Sequence, residues 1–123
     1  MEFSFEKLNV FQEARVFVTK EVYLLMKKFP VEERYALCDQ IRRSVSSIPS
    51  NIAEGTSRNS IKEKIHFLEI AYGSLMECFC QLTLACDLGY ISPEHLEIAR
   101  HRVETISKML SGLKASYAKQ LNQ

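Results

Sequence analysis

A chain of 123 residues with 46% hydrophobic and 25% charged residues is long enough to bury one core without disulfides or a structural metal, and too apolar to stay disordered. Its formal net charge of +1 excludes an overall field that would draw it onto nucleic acid or an anionic membrane, so any such contact has to come from local clusters. One domain over residues 1–123 is expected.

The N-terminus carries Glu2 and Glu6 where a signal peptide needs basic residues, and no apolar run follows. The longest late apolar stretch, Cys78 to Cys86, is too short to cross a bilayer and contains Gln81 and Thr83. The expectation is a cytoplasmic protein with no membrane partner.

A first helix is predicted over about 9–29, with Phe11, Ala14, Val18, Val22, Leu25 and Phe29 on one face. Pro30 ends it, because a proline disfavours helical geometry at the residue before it. Val10, Val16, Phe17, Tyr23 and Leu24 are surplus to that face. A second helix, about 32–58, aligns Leu37, Ile41, Val45, Ile48 and Ile52. Both stripes repeat over eleven residues, which calls for straighter helices than a heptad does. Pro49 lies inside the second helix, where it removes a backbone hydrogen bond and crowds the carbonyl of Val45, so a kink near Pro49 is expected. Ser46, Ser47, Ser50 and Asn51 can bond back to carbonyls that such a bend frees.

The third helix, about 61–88, carries Ile61, Ile65, Leu68, Tyr72, Leu75, Phe79, Leu82 and Cys86 in four-three spacing. Ser60 with Glu63 marks its start as a capping box, and Gly89 marks its stop. The fourth, about 93–120, repeats the pattern with Leu96, Ala99, Val103, Ile106, Leu110, Leu113 and Tyr117 behind a Ser92 cap and Pro93 at the first helical position. Short links force neighbouring helices antiparallel, which predicts an all-α, up-down-up-down four-helix bundle.

On the third helix, Phe67, Ile70, Ala71, Ser74 and Cys78 fall outside the main stripe. With Phe17 and Leu24 of the first, they are the candidates for contact between copies of the chain. In a reducing compartment Cys38, Cys78, Cys80 and Cys86 are expected as thiols. Their spacing has no paired C-x-x-C, so they read as small core or interface residues rather than ligands.

A di-iron bundle needs two inward E-x-x-H motifs. The chain has one, Glu63 with His66, and both residues fall on outward positions. No cofactor or metal is expected. His66, His95 and His101 lie off the core stripes, and no Gly-rich phosphate loop is present, so no enzyme is expected. For nucleic acid, Arg58, Lys62 and Lys64 should share one end of the bundle with Lys114 and Lys119, diluted by Glu54 and Glu63. Arg42 and Arg43 should lie at the height of Arg100 and Arg102.

Three stretches, QIRRSVSSIPSNIAEG from Gln40 to Gly55, FLEIAYGSLME from Phe67 to Glu77 and DLGYI from Asp87 to Ile91, resemble the four-helix-bundle (S23-type) proteins encoded in intervening sequences of bacterial 23S ribosomal RNA genes. The resemblance runs in the same order over nearly the whole chain. It implies a homopentameric ring, as in the related accessory variability protein of diversity-generating retroelements, which binds nucleic acid and a reverse transcriptase. RNA, DNA or a nucleic-acid enzyme are therefore the partners that kinship implies, besides the chain itself. Within the shared motif Pro49, Asn51, Glu54 and Gly55 are expected in structural roles, with Glu54 and Arg58 forming an i, i+4 pair. The expected function is a noncatalytic oligomeric bundle that docks structured nucleic acid or a nucleic-acid enzyme. The alternative is a self-assembling scaffold that binds only protein.

Overall fold

The computed structural model describes residues 1–122 and is all helical, a four-helix bundle. A 3₁₀ turn at Ser4–Lys7 leads into the first rod, α1, residues 9–26. That rod is built from α-helical Asn9–Val16, a π-helical stretch Phe17–Val22 and α-helical Tyr23–Met26. The π stretch changes which residues face inward. Val10, Ala14 and Phe17 are buried, and the next buried position is Val22, five residues on. In a regular α-helix Val22 would swing well off that face, but the wider turn returns it to the core. Phe17, expected at an interface between copies, is therefore fully enclosed within one chain, while Phe11 and Val18 are only partly buried.

The link from α1 to the second helix is longer than expected. Lys27, Lys28 and Phe29 close the rod with i→i+3 bonds, Pro30 is extended at ψ 153, and Val31–Glu33 forms a 3₁₀ turn. Helix α2 (Leu37–Thr56) starts at Leu37, not near 32. The residues between have no apolar face to bury, and Tyr35 is 85% exposed. Glu33 supplies the start signal instead: its Oε1 accepts from the Leu37 N–H at 3.4 Å, and its Oε2 from the Tyr90 hydroxyl at 2.8 Å.

Helix α2 continues through Pro49. Ser46 Oγ donates to the Arg42 carbonyl, Ser50 Oγ to that of Ser46, and Asn51 Nδ2 to that of Ser47, all within 2.9 Å. Helix α3 (Ile61–Asp87) begins where Ser60 Oγ accepts from the Glu63 N–H. It stops at Gly89, whose φ of +82 is a left-handed geometry that glycine adopts without strain. Gly89 N–H bonds the Cys86 carbonyl and Tyr90 N–H that of Ala85, the paired closure of a Schellman motif. Helix α4 (Pro93–Leu121) opens on Ser92, whose Oγ accepts from the His95 N–H at 3.1 Å.

The α2–α3 seam is the most extensive, α4 packs on α3, and α1 closes the bundle against α2 and α4. Helix α3 is turned relative to its predicted stripe. Ala71, Ser74, Cys78 and Ala85 are buried beside Leu68, Leu75 and Leu82, whereas Tyr72 is 44% exposed. Small side chains let α2 approach α3 closely, so the faces that touch are those with the least bulk. Ala71, Ser74 and Cys78 are accordingly core residues, not surface candidates for a second copy.

Candidate functional site

Two surfaces and one internal seam gather the residues singled out above. The outward face of α3 carries Ile70, Gly73, Glu77, Cys80 and Leu84, a three-four spacing that lines up one seam along a helix. Ile70, Met76, Leu84 and Leu88 are all exposed. Between positions 70 and 86 the single charged side chain is Glu77. Apart from the backbone of its own helical turn and its chain neighbours, nothing lies within 4 Å of where a Cβ at Gly73 would stand. Glycine in a helix interior costs about 0.5–1 kcal/mol relative to alanine, and nothing within the chain requires it here.

The second surface is the bundle end where α2 finishes, α3 starts and α4 finishes. Lys64 Nζ donates to the Thr56 carbonyl at 2.9 Å and lies 5.6 Å from the centre of the Tyr117 ring. Lys114 pairs with Glu69 at 2.9 Å, and this bond holds the Glu69 carboxyl below its ordinary range. Arg58 pairs with Glu54 at 2.9 Å and covers the half-buried Phe67 ring at 4.8 Å. Lys62 and Lys119 are exposed near this end. Arg58, Lys64 and Lys114 all lie toward this end, and a carboxylate or carbonyl already engages each of the three.

The other predicted basic group does not form one patch. Arg42 turns to the link, where its Nη2 donates to the Arg34 carbonyl at 2.7 Å, and Arg43 pairs with Asp39 at 2.8 Å. Arg100 lies over Phe79 of α3 at 4.8 Å. Arg102 turns to α1, where Glu21 accepts from its Nε and Nη2 and Glu13 accepts from its Nη1. Helices α2 and α4 stand on opposite corners of the bundle, so their arginines are not brought together.

The shared motif lies on the α2–α3 seam. A Cβ at Gly55 would stand 2.9 Å from Phe67 Cβ and 3.2 Å from the Lys64 carbonyl oxygen, so only glycine fits. The Ser44 hydroxyl bonds Gln81 Oε1 at 2.7 Å, Ser47 and Ser74 share a hydrogen bond of 2.8 Å, and Asn51 Nδ2 reaches Ser47 Oγ at 2.8 Å. Sequence reading missed this ladder. Its signal was the polar Ser44, Ser47, Ser74 and Gln81 on two adjacent helices, of which the predicted stripe leaves Ser74 outside. Burial pushes the Cys78 thiol beside it up to about 12, and the Cys38 thiol is raised for the same reason. Glu63 and His66 are both exposed. Among the described residues no three His, Cys, Asp or Glu side chains come together as a metal site. Nor is any described helix long and apolar enough to cross a membrane.

Residues 6–112 match the family described as 23S rRNA-intervening sequence protein. A solved structure of a protein of unknown function from the S23 ribosomal protein family of Bacteroides thetaiotaomicron is similar, with a TM-score of 0.77 and 27% identity. The match covers 85% of this chain and 97% of that one. No functionally curated protein matches the chain.

Proposed function

The chain belongs to the 23S rRNA-intervening sequence protein family, and from that premise we propose that it is a noncatalytic helical scaffold that assembles with copies of itself through the outward face of α3. The observation that carries this reading is Gly73, an unforced glycine in mid-helix. It is flanked on one seam by exposed Ile70 and Leu84, with Glu77 and Cys80 between them. A gap without a side chain lets a second helix approach closely, and the apolar neighbours gain from leaving water. The resemblance to ring-forming relatives makes a homopentamer the expected assembly.

Light scattering at micromolar concentration tests this: the mass should be that of a pentamer of 14.2 kDa chains, and a monomer would contradict it. Ile70→Glu with Leu84→Glu should dissociate the assembly while leaving the helical circular dichroism unchanged. Gly73→Ala separates the two roles of that position. It should strengthen the isolated helix by about 0.5–1 kcal/mol and weaken the assembly.

A second reading, docking of structured RNA or DNA, is favoured by the placement of Arg58, Lys64 and Lys114 toward one end of the bundle, the end to which Lys62 and Lys119 also belong. Phosphate contacts release counterions, so affinity should fall steeply with salt, and Lys62→Ala with Lys119→Ala should lower that slope. Absence of binding at low salt would leave the protein-only scaffold.

A further inference from the structure

A cleft of about 400 Å³ opens where the end of α1, the link and the start of α2 meet, apart from both surfaces described above. Its floor is apolar: Met26, Phe29 and Cys38 line it and each is nearly buried. Three cations, Lys27, Arg34 and Arg42, also line it, and no carboxylate does. In a chain with a net charge of +1, every charged residue that lines this cleft is a cation.

Three carboxylates flank the cleft without lining it: Glu32 is exposed in the link, and the other two already have partners. Glu33 accepts from Tyr90 and from the Leu37 N–H. Asp39 is held at 2.8 Å by Arg43 and stands 4.0 Å from Arg42. The Arg42 guanidinium is anchored through one nitrogen on the Arg34 carbonyl, and a guanidinium has five N–H donors in a rigid fork, so donors remain for a second acceptor. The floor is equally fixed, since the Phe29 ring packs on Tyr90 at 5.3 Å and Tyr90 is tied to Glu33.

We propose that this cleft binds a small organic oxyanion, a phosphate monoester or carboxylate carrying an aryl or short aliphatic body. The oxyanion would lie against Lys27, Arg34 and Arg42, and the apolar body against Met26, Phe29 and Cys38. Neither half of such a ligand is served alone: the cations would hold a bare anion weakly in water, and the floor is too small to hold a neutral ring strongly.

Calorimetric titration of the full chain with phenyl phosphate, inorganic phosphate and phenol tests this, with amide NMR shifts locating the contact. Phenyl phosphate should bind at least about tenfold more tightly than either fragment. Lys27→Ala with Arg34→Ser should lose about tenfold or more of that affinity, the scale of a lost charge-assisted hydrogen bond. Both side chains are exposed, so the fold should survive. Benzoate in place of phenyl phosphate shows which oxyanion is preferred, and binding of either supports the site. Equal binding of inorganic phosphate would overturn the proposal, as would equal binding of phenol, shifts that map elsewhere, or no binding at millimolar ligand.

Discussion

Ser44 and Gln81 face each other across the α2–α3 seam, the serine hydroxyl 2.7 Å from the glutamine Oε1 and both residues buried. A buried polar pair of this kind contributes little net stability when made, but leaving one partner alone is costly. Ser44→Ala should therefore destabilise the fold by about 1–3 kcal/mol, read from denaturant midpoints. Adding Gln81→Leu should restore most of the loss, because neither polar group then lacks a partner. A double variant as unstable as the single would show that the seam depends on shape rather than on this hydrogen bond.

Gly55 and Gly112 should respond to alanine with opposite signs. At Gly55 the added methyl meets Phe67 and the Lys64 carbonyl, and the overlap of about 1–3 kcal/mol outweighs a helical gain of at most about 1 kcal/mol. At Gly112 nothing lies within 4 Å, so only the gain remains. Thermal melts should fall for Gly55→Ala and rise for Gly112→Ala.

Arg102 joins α4 to α1 through Glu13 and Glu21, with 29% of its side chain exposed. Arg102→Ala should cost about 1 kcal/mol at low salt, since partly solvated pairs are worth little more, and the difference from wild type should narrow as salt screens the charges. Arg102→Lys should recover only part of it, because a single ammonium cannot reproduce the forked contact with Glu21. Chemical denaturation at two ionic strengths checks both statements.

The contact of Tyr90 with Glu33 makes one contribution to the fold depend on alkaline pH. The Glu33 carboxylate accepts its hydroxyl proton and so raises the phenol above its ordinary 10.0. A folded-state value above the unfolded one means that this contribution is complete below pH about 10 and is lost as pH rises through the raised folded value. Tyr90→Phe should lower stability at neutral pH, and the gap from wild type should close in alkali. Melting curves from pH about 8 to 11 would refute the link if the gap stayed constant.

The resemblance carried by SIPSNIAEG, the segment beginning at Phe67 and DLGYI foretold the family. Capping residues were equally legible: Ser60, Gly89, Ser92 and Pro93 each act over a few neighbouring residues, and the structure uses all four near the boundaries expected of them. The helix count and their antiparallel order also followed from the chain, because link length and apolar period are local properties. For Gly55 the sequence implied only a structural role, and the approach of Phe67 makes that role close packing of α3 on α2.

What only the tertiary structure decided was the rotation of each helix about its own axis. A regular period extrapolated across Phe17–Val22 put Phe17 outside, since nothing local announces a π turn; it is the joint burial of Phe17 and Val22 that favours one. On α3, apolar residues surround much of the helix, so the sequence could not choose a face. The choice fell to Ala71, Ser74 and Cys78 because α2 comes nearest where side chains are small. Where these cations turn was decided in the same way: Arg42 bonds the link and Arg102 the carboxylates of α1, because α2 and α4 occupy opposite corners and a side chain's direction follows from packing.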